Sequence, residues 1–148
     1  MNQTQSLLNG IVENARMGAD ACAQLLKKTE EIELRRELQQ QQSVYEGAIR
    51  DAEERLYAGG FKPIPTPVKD RMGVWMGTQM KTLTDRSPSH IAEMTIQGAS
   101  MGIIDLTKAR NAYPDADSQA QGIAAALIEK QQQGIDRMKQ YLTETPVK

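Results

Sequence analysis

The feature that most constrains the fold is the spacing of apolar residues, which recur at steps of three and four along four segments of the chain. Such spacing places apolar side chains on one face of an α-helix. Aromatic residues make up only 4% of the chain, and this composition favours helices over strands, which are rich in aromatic and β-branched residues. The first of these apolar stripes consists of Leu8, Ile11, Ala15, Ala19, Cys22, Leu26 and Thr29.

Breaks in this pattern predict where the helices begin and end. Acidic residues after Thr29 suit the start of a second helix at Ile32, and Gly59 and Gly60 end it. Three prolines in residues 61–67 exclude a regular helix there. Further helix starts are predicted at the cap-and-proline pairs Thr66-Pro67 and Ser87-Pro88 and at residues 115–118, and a helix end is predicted at Pro114.

The result is one domain, residues 1–148, with four helices of about 25 residues, each about 37 Å long. Tight turns pair them into two antiparallel hairpins, and a crossover over residues 59–86 carries a shorter extra helix. Two hairpins joined by a long crossover form an all-α, ferritin-like antiparallel four-helix bundle. Residues 143–148 are expected to fray.

Charge and composition exclude several functional classes. The net charge is −1, and basic residues alternate with acidic ones, so neither nucleic acid nor a membrane surface is an expected partner. No run of residues approaches the roughly 20 apolar residues of a membrane span, and the first ten residues do not read as a signal peptide. A single cysteine excludes an internal disulfide, so a cytoplasmic location is expected.

Particular stretches resemble those of small bacterial ferritin-like domains of unassigned function. Residues 8–38 look like the first hairpin of that group. Residues 74–76, the helix around Gly98 and residues 135–139 look like its crossover and second hairpin. The resemblance covers most of the chain. It implies the bundle fold and, for the wider superfamily, a site for two iron or manganese ions.

That metal centre needs one Glu from each of two helices and a Glu-x-x-His from each of the other two. No Glu-x-x-His occurs in this chain. Ala99 stands where the resemblance implies an acidic residue, and the middle of the last helix reads Gln131, Gln132, Gln133, Gly134. The sequence therefore predicts a ferritin-like scaffold without the di-metal site and without a cofactor.

Four residues remain as candidate metal ligands. His90 and Glu93 are three positions apart, but in the first turn of a helix they are expected to face solvent. Asp105 falls on or beside an apolar stripe, where an unpaired charge is costly. Together with Glu129 it could belong to an atypical carboxylate site, although Lys108 or Arg110 could pair with it instead.

The short helix carries a row of methionines at steps of four, with Trp75 alongside. Core packing is the simplest interpretation of this row. Thioethers also bind Cu(I) or form adaptable docking surfaces, and the absence of Cys or His in this stretch favours docking over copper. The interface candidates are Met72, Trp75, Met76, Met80, Gly98 and Gly102.

Two further predictions concern the interior. Cys22 is expected to be a buried, inert thiol, because no base accompanies it. Gln41 and Gln131 belong to two glutamine runs and are expected to point inward, where they could form a polar layer that fixes the register of the helices.

Three functions follow from the sequence. The first is a non-enzymatic bundle that acts through self-association, as a homodimer, or through an unidentified protein partner. The second is a divergent iron- or manganese-binding protein that uses Asp105 and Glu129. The third is a carrier of an apolar small molecule between the helices, with flexible methionines around the ligand.

Overall fold

The structure is a computed structural model that describes residues 2–64 and 71–144, with the backbone alone for residues 71–73. These residues form only helices and their connections, which confirms the all-α prediction, and none of the helices is long and apolar enough to cross a membrane. The helices are α1 (Gln3–Leu26), α2 (Ile32–Ala58), α3 (Arg71–Lys81), α4 (Pro88–Ala112) and α5 (Ser118–Met138), followed by a 3₁₀ turn (Lys139–Tyr141).

Side-chain caps explain why four of these helices start where they do. The capping residues are Asn2, Glu31, Ser87 and Asp117, and each accepts a hydrogen bond from a backbone N–H two or three residues later. Such a bond satisfies an N–H group that has no partner inside the helix. The predicted starts of α2, α4 and α5 are confirmed, whereas the predicted cap at Thr66-Pro67 lies outside the described residues.

The helix ends differ from the predictions by a few residues. α1 stops at Leu26, so the break that was predicted to begin at Thr29 begins two residues earlier. The carbonyls at this end have side-chain partners, because the hydroxyl of Thr29 donates to the Leu25 carbonyl and Arg35 Nη1 donates to the carbonyls of Leu26 and Thr29. α2 ends as predicted at Gly59, and Gly60 has a φ of +82°, which glycine adopts without steric cost. At the other end of the chain, Thr143 exchanges two hydrogen bonds with Ser89, and residues 145–148 lie outside the description.

The long helices are antiparallel to the helices they pack beside. Gly10 approaches Ala109 and Asn14 donates to Gly102, so α1 and α4 run in opposite directions. Glu37 pairs with Arg137 and Gln41 approaches Gly134, so α2 and α5 do the same.

The hairpins α1–α2 and α4–α5 are also closely packed pairs, joined by short connections. α2 and α4 therefore point the same way, so the end of α2 and the start of α4 lie at opposite ends of the molecule. Between them in the chain, α3 packs against α1 and α4.

Apolar residues form two separate clusters along the helices. One cluster includes Leu7, Ile11 and Leu56, and the other includes Leu34, Ile91 and Met138. On α2, α4 and α5 the residues between the clusters include the buried polar side chains Gln41, Thr95 and Gln131. The middle of the molecule is thus more polar than its two ends.

Candidate functional site

A cavity of about 420 Å³ lies between α1, α3 and α4, and α2 closes its inner side. Four methionines from three helices line it, together with the only cysteine of the chain. The volume falls within the range of small-molecule pockets, roughly 300–1,000 Å³. The sulfur-bearing residues on its wall are Met17, Cys22, Met76, Met80 and Met94.

Small residues on facing helices leave room for this cavity. Gly18 and Ala21 of α1 and Gly98 and Ala99 of α4 line it, so no long side chain from these four positions fills the gap between the helices. At Gly18 a Cβ atom would collide with the ring of Tyr45, so glycine is what allows that ring to pack against α1. Tyr45 in turn forms part of the inner wall.

The predicted interface residues of α3 whose side chains the structure describes face the helices of their own chain. Met76 is buried, and Met76 and Met80 line the cavity. Trp75 is half-buried, and its ring lies 3.4 Å from the position that a Cβ of Gly98 would take. The side chain of Met72 lies outside the described residues. Met76 and Met80, the members of the row whose side chains the structure describes, are therefore interior-facing, as the core-packing interpretation predicts, and they pack around a space.

Gly98 and Gly102, the other interface candidates, are buried on α4. Gly98 lines the cavity, and the carbonyl of Gly102 accepts a hydrogen bond from Asn14. Both are therefore placed between helices of the same chain.

Cys22 is buried at the base of the cavity, as predicted, with 3% of its surface exposed. Burial, and to a smaller extent the Glu37 carboxylate, raises the pKa of the Cys22 thiol to about 12. The thiol therefore stays protonated at neutral pH and is a weak nucleophile. The Cys22 side chain therefore contributes an apolar surface to the cavity wall.

A chain of hydrogen bonds behind the cavity joins α1, α4 and α5. Asn14 Nδ2 donates to the carbonyl of Gly102 at 2.9 Å, and Gln131 Nε2 donates to Asn14 Oδ1 at 3.1 Å. Because a carbonyl only accepts, the Gly102 contact fixes which way both amides point. Gln131 Oε1 then lacks a hydrogen-bond partner among the described residues, and Nε2 lies 3.4 Å from the Tyr45 hydroxyl.

Gln41 belongs to a second buried group. Its Nε2 donates to Glu37 Oε1 at 3.1 Å, and the same carboxylate oxygen accepts from Arg137 Nε at 2.8 Å. Gln41 and Gln131 are both buried, so the prediction that they point inward is confirmed. They bind different partners, however, so the polar layer consists of two groups.

The candidate metal ligands are spread over the molecule. His90 Nδ1 and Glu93 Oε2 are 3.9 Å apart in the first two turns of α4, where both side chains are substantially exposed. Asp105 is half-buried on α4, and Glu129 is exposed on α5. Among the described residues, no three His, Cys, Asp or Glu side chains form a group that could hold a metal ion.

Sequence reasoning identified the methionine row, Gly98 and Cys22 separately, but missed that they share one cavity. It also missed Met17, Met94 and Tyr45 as parts of the wall. Clues were present in the small residues Gly18 and Ala21 on the apolar side of α1, which leave a gap unless a larger side chain fills it.

Comparisons of the chain with protein-family models, with curated proteins and with solved structures give no match.

Proposed function

We propose that this protein is a non-enzymatic, ferritin-like four-helix bundle that binds an apolar small molecule in the cavity beneath α3. Two lines of support carry the proposal. The helix pairing supports the topology, and the methionine-lined cavity supports the binding function.

The topology is supported by the directions of the helices. Each long helix is antiparallel to the two long helices that it contacts most, and the end of α2 and the start of α4 lie at opposite ends of the molecule. An up-down-down-up order with one long crossover is the ferritin-like arrangement.

The cavity is the observation that carries the binding function. An engineered apolar cavity of roughly 150 Å³ is large enough to bind benzene, and this one is about 420 Å³. Methionine side chains are flexible and polarizable, so they adapt to a ligand's shape. The cavity is open to solvent on one side, so an apolar ligand that entered it would replace water against the apolar wall.

Titration with N-phenyl-1-naphthylamine, a neutral dye that fluoresces in apolar surroundings, tests the proposal. We expect a saturable increase in fluorescence with one dye molecule per chain. Gly77→Leu is the blocking variant, because Gly77 lines the cavity and a Cβ there has nothing within 4 Å. A leucine side chain can therefore enter the cavity mouth without disturbing the helix packing, and we expect at least tenfold weaker binding.

Gly122→Leu is the matched control. Gly122 is likewise an exposed helical glycine with nothing within 4 Å of a Cβ, but it lies on α5 away from this cavity. The Gly122→Leu variant should bind the dye with the same affinity as the wild type. Equal affinities of the wild type and Gly77→Leu, or no saturable binding at all, would overturn the proposal.

Self-association is a second candidate function, because α3 also has an outward apolar residue. Val74 is 57% exposed on that helix. A homodimer formed through this side of α3 is compatible with a ligand beneath it.

Iron or manganese binding through Asp105 and Glu129 is the alternative that elemental analysis tests. After exposure to Fe(II) or Mn(II) and removal of excess ions, we expect no stoichiometric metal, because these ions need several converging oxygen or nitrogen ligands. Binding of about two ions per chain would contradict the carrier function and would indicate a divergent di-metal protein.

A further inference from the structure

The cavity wall changes from polar to apolar across successive faces of α1. Arg16, Asp20 and Gln24 lie at steps of four along one line, and all three border the cavity while remaining exposed or half-buried. On the next face Ala21 is half-buried, and beyond it Cys22 is buried. The mouth therefore lies along the polar line of α1, and the apolar base lies behind it.

Two polar side chains on the inner wall, Thr95 and Gln41, are already engaged within the protein. The hydroxyl of Thr95 donates to the Ile91 carbonyl at 2.8 Å, and the amide of Gln41 donates to Glu37. A buried polar group on the ligand would gain little from them and would lose its hydration. The part of the ligand that enters the cavity is thus apolar.

The mouth carries both signs of charge. Arg16 and Asp20 are four residues apart on α1, and Arg16 Nη2 lies 3.7 Å from Glu53 Oε1. A charged ligand head of either sign would meet one attractive and one repulsive side chain at Arg16 and Asp20, so the mouth offers it no net attraction to offset its lost hydration. An uncharged head that both donates and accepts hydrogen bonds, such as a hydroxyl, meets neither repulsion.

The wall is better matched to an aromatic body than to an alkyl chain. Thioether sulfurs make favourable contacts with aromatic rings, and four methionines surround the cavity. The Tyr45 ring adds an aromatic surface, against which a second ring can stack or meet edge to face. The volume is roughly three times that of a benzene-binding cavity, which is enough for two fused rings and a short substituent.

We infer that the ligand of this cavity is an uncharged aromatic alcohol of about two fused rings, with its rings among the methionines and its hydroxyl at Arg16, Asp20 and Gln24. This inference rests on the proposed function and narrows it to one chemical class. It also fixes the orientation of the ligand, since the hydroxyl must lie at the solvent-facing line of α1.

Displacement of N-phenyl-1-naphthylamine by four matched competitors tests the inference. The competitors are 2-naphthalenemethanol, 2-naphthoate, 2-naphthylmethylammonium and n-decanol. We expect 2-naphthalenemethanol to displace the dye at a concentration at least tenfold lower than either ionised analogue, and lower than n-decanol. An ionised analogue or n-decanol that equals or surpasses it overturns the inference.

Two charge variants test the orientation. In Asp20→Asn, 2-naphthoate should gain at least threefold in affinity relative to 2-naphthalenemethanol, because the like charge at the mouth is removed. In Arg16→Gln, 2-naphthylmethylammonium should gain at least threefold in affinity relative to 2-naphthalenemethanol, because the positive charge that repels it is removed. Unchanged ratios in both variants would overturn the placement of the hydroxyl.

The outcomes separate this inference from the proposed function. If the dye itself does not bind to the wild type, the cavity is not a ligand site and both fail. If the dye binds and Gly77→Leu blocks it, but the neutral aromatic alcohol is not the best competitor, only the ligand class is wrong.

Discussion

Gly18 lies so close to Tyr45 that a single added methyl group would collide with the ring. The Tyr45 ring is itself buried, so it cannot swing into solvent to make room. We expect Gly18→Ala to lower the free energy of unfolding by about 1–3 kcal/mol, as overpacking generally does. Urea unfolding followed by circular dichroism measures the change.

Gly10→Ala is the control on the same helix. Its Cβ would make an ordinary contact of 3.8 Å with Ala109, so the higher helix propensity of alanine should stabilise the protein by up to about 1 kcal/mol. A Gly18→Ala variant that is as stable as Gly10→Ala would contradict the close packing of Tyr45 on α1.

The Cys22 thiol makes stability depend on alkaline pH. Its pKa is about 12 in the folded protein against an ordinary value of 9.0, so above pH ~9 the unfolded chain loses this proton while the folded chain keeps it. The unfolded state then binds fewer protons, and the free energy of unfolding falls as pH rises. The contribution of this group is complete below pH ~9 and is lost progressively up to pH ~12.

We expect the wild type to lose stability faster than Cys22→Ala between pH ~9.5 and ~10.5, with slopes that differ by up to about 1.4 kcal/mol per pH unit. Only the slopes are compared, because the smaller side chain changes stability at every pH. Parallel curves for the two proteins would show that the thiol is accessible to water in the folded state.

At the scale of the helices, the hydrogen bond between Asn14 and Gln131 links α1 to α5 inside the molecule. Gln131→Leu would leave Asn14 Oδ1 without the donor it has now, and a buried acceptor left unsatisfied costs about 1–3 kcal/mol. Asn14→Leu would likewise remove the closest acceptor of the Gln131 amide.

The double variant Asn14→Leu, Gln131→Leu removes both partners together. We therefore expect it to be less destabilised than the sum of the two single variants, as a double-mutant cycle of unfolding free energies would measure. Strict additivity would mean that the two amides do not interact and that the register of α1 and α5 is fixed by apolar contacts.

At the scale of the whole molecule, sedimentation equilibrium tests the predicted homodimer. We expect the wild type to be a dimer and Val74→Glu to be a monomer, because a charge in a buried apolar interface lacks hydration and a partner. Ile32→Glu alters another exposed apolar residue, at the start of α2, and should remain dimeric. A monomeric wild type, or a Val74→Glu variant that remains dimeric, would contradict the prediction that α3 forms the dimer interface.

Local chemistry in the sequence determined where the helices begin and end. The caps at Ser87 and Asp117 and the glycine pair after α2 act within a few residues of themselves, so their effect is visible without the rest of the fold. The break before α2 was predicted at residues 29–31 but begins two residues earlier, where the side chain of Arg35 binds the carbonyls of Leu26 and Thr29.

The sequence by itself determined that the chain is helical, that Cys22 is buried and that Gln41 and Gln131 face inward. Each of these depends on periodicity along one helix. Only the tertiary structure decided that the methionines of α3 meet Met17, Cys22 and Met94 around a cavity, because that depends on how far apart three helices stand. The distance between helices is set by the small residues of α1 and α4 together, and no single segment contains that information.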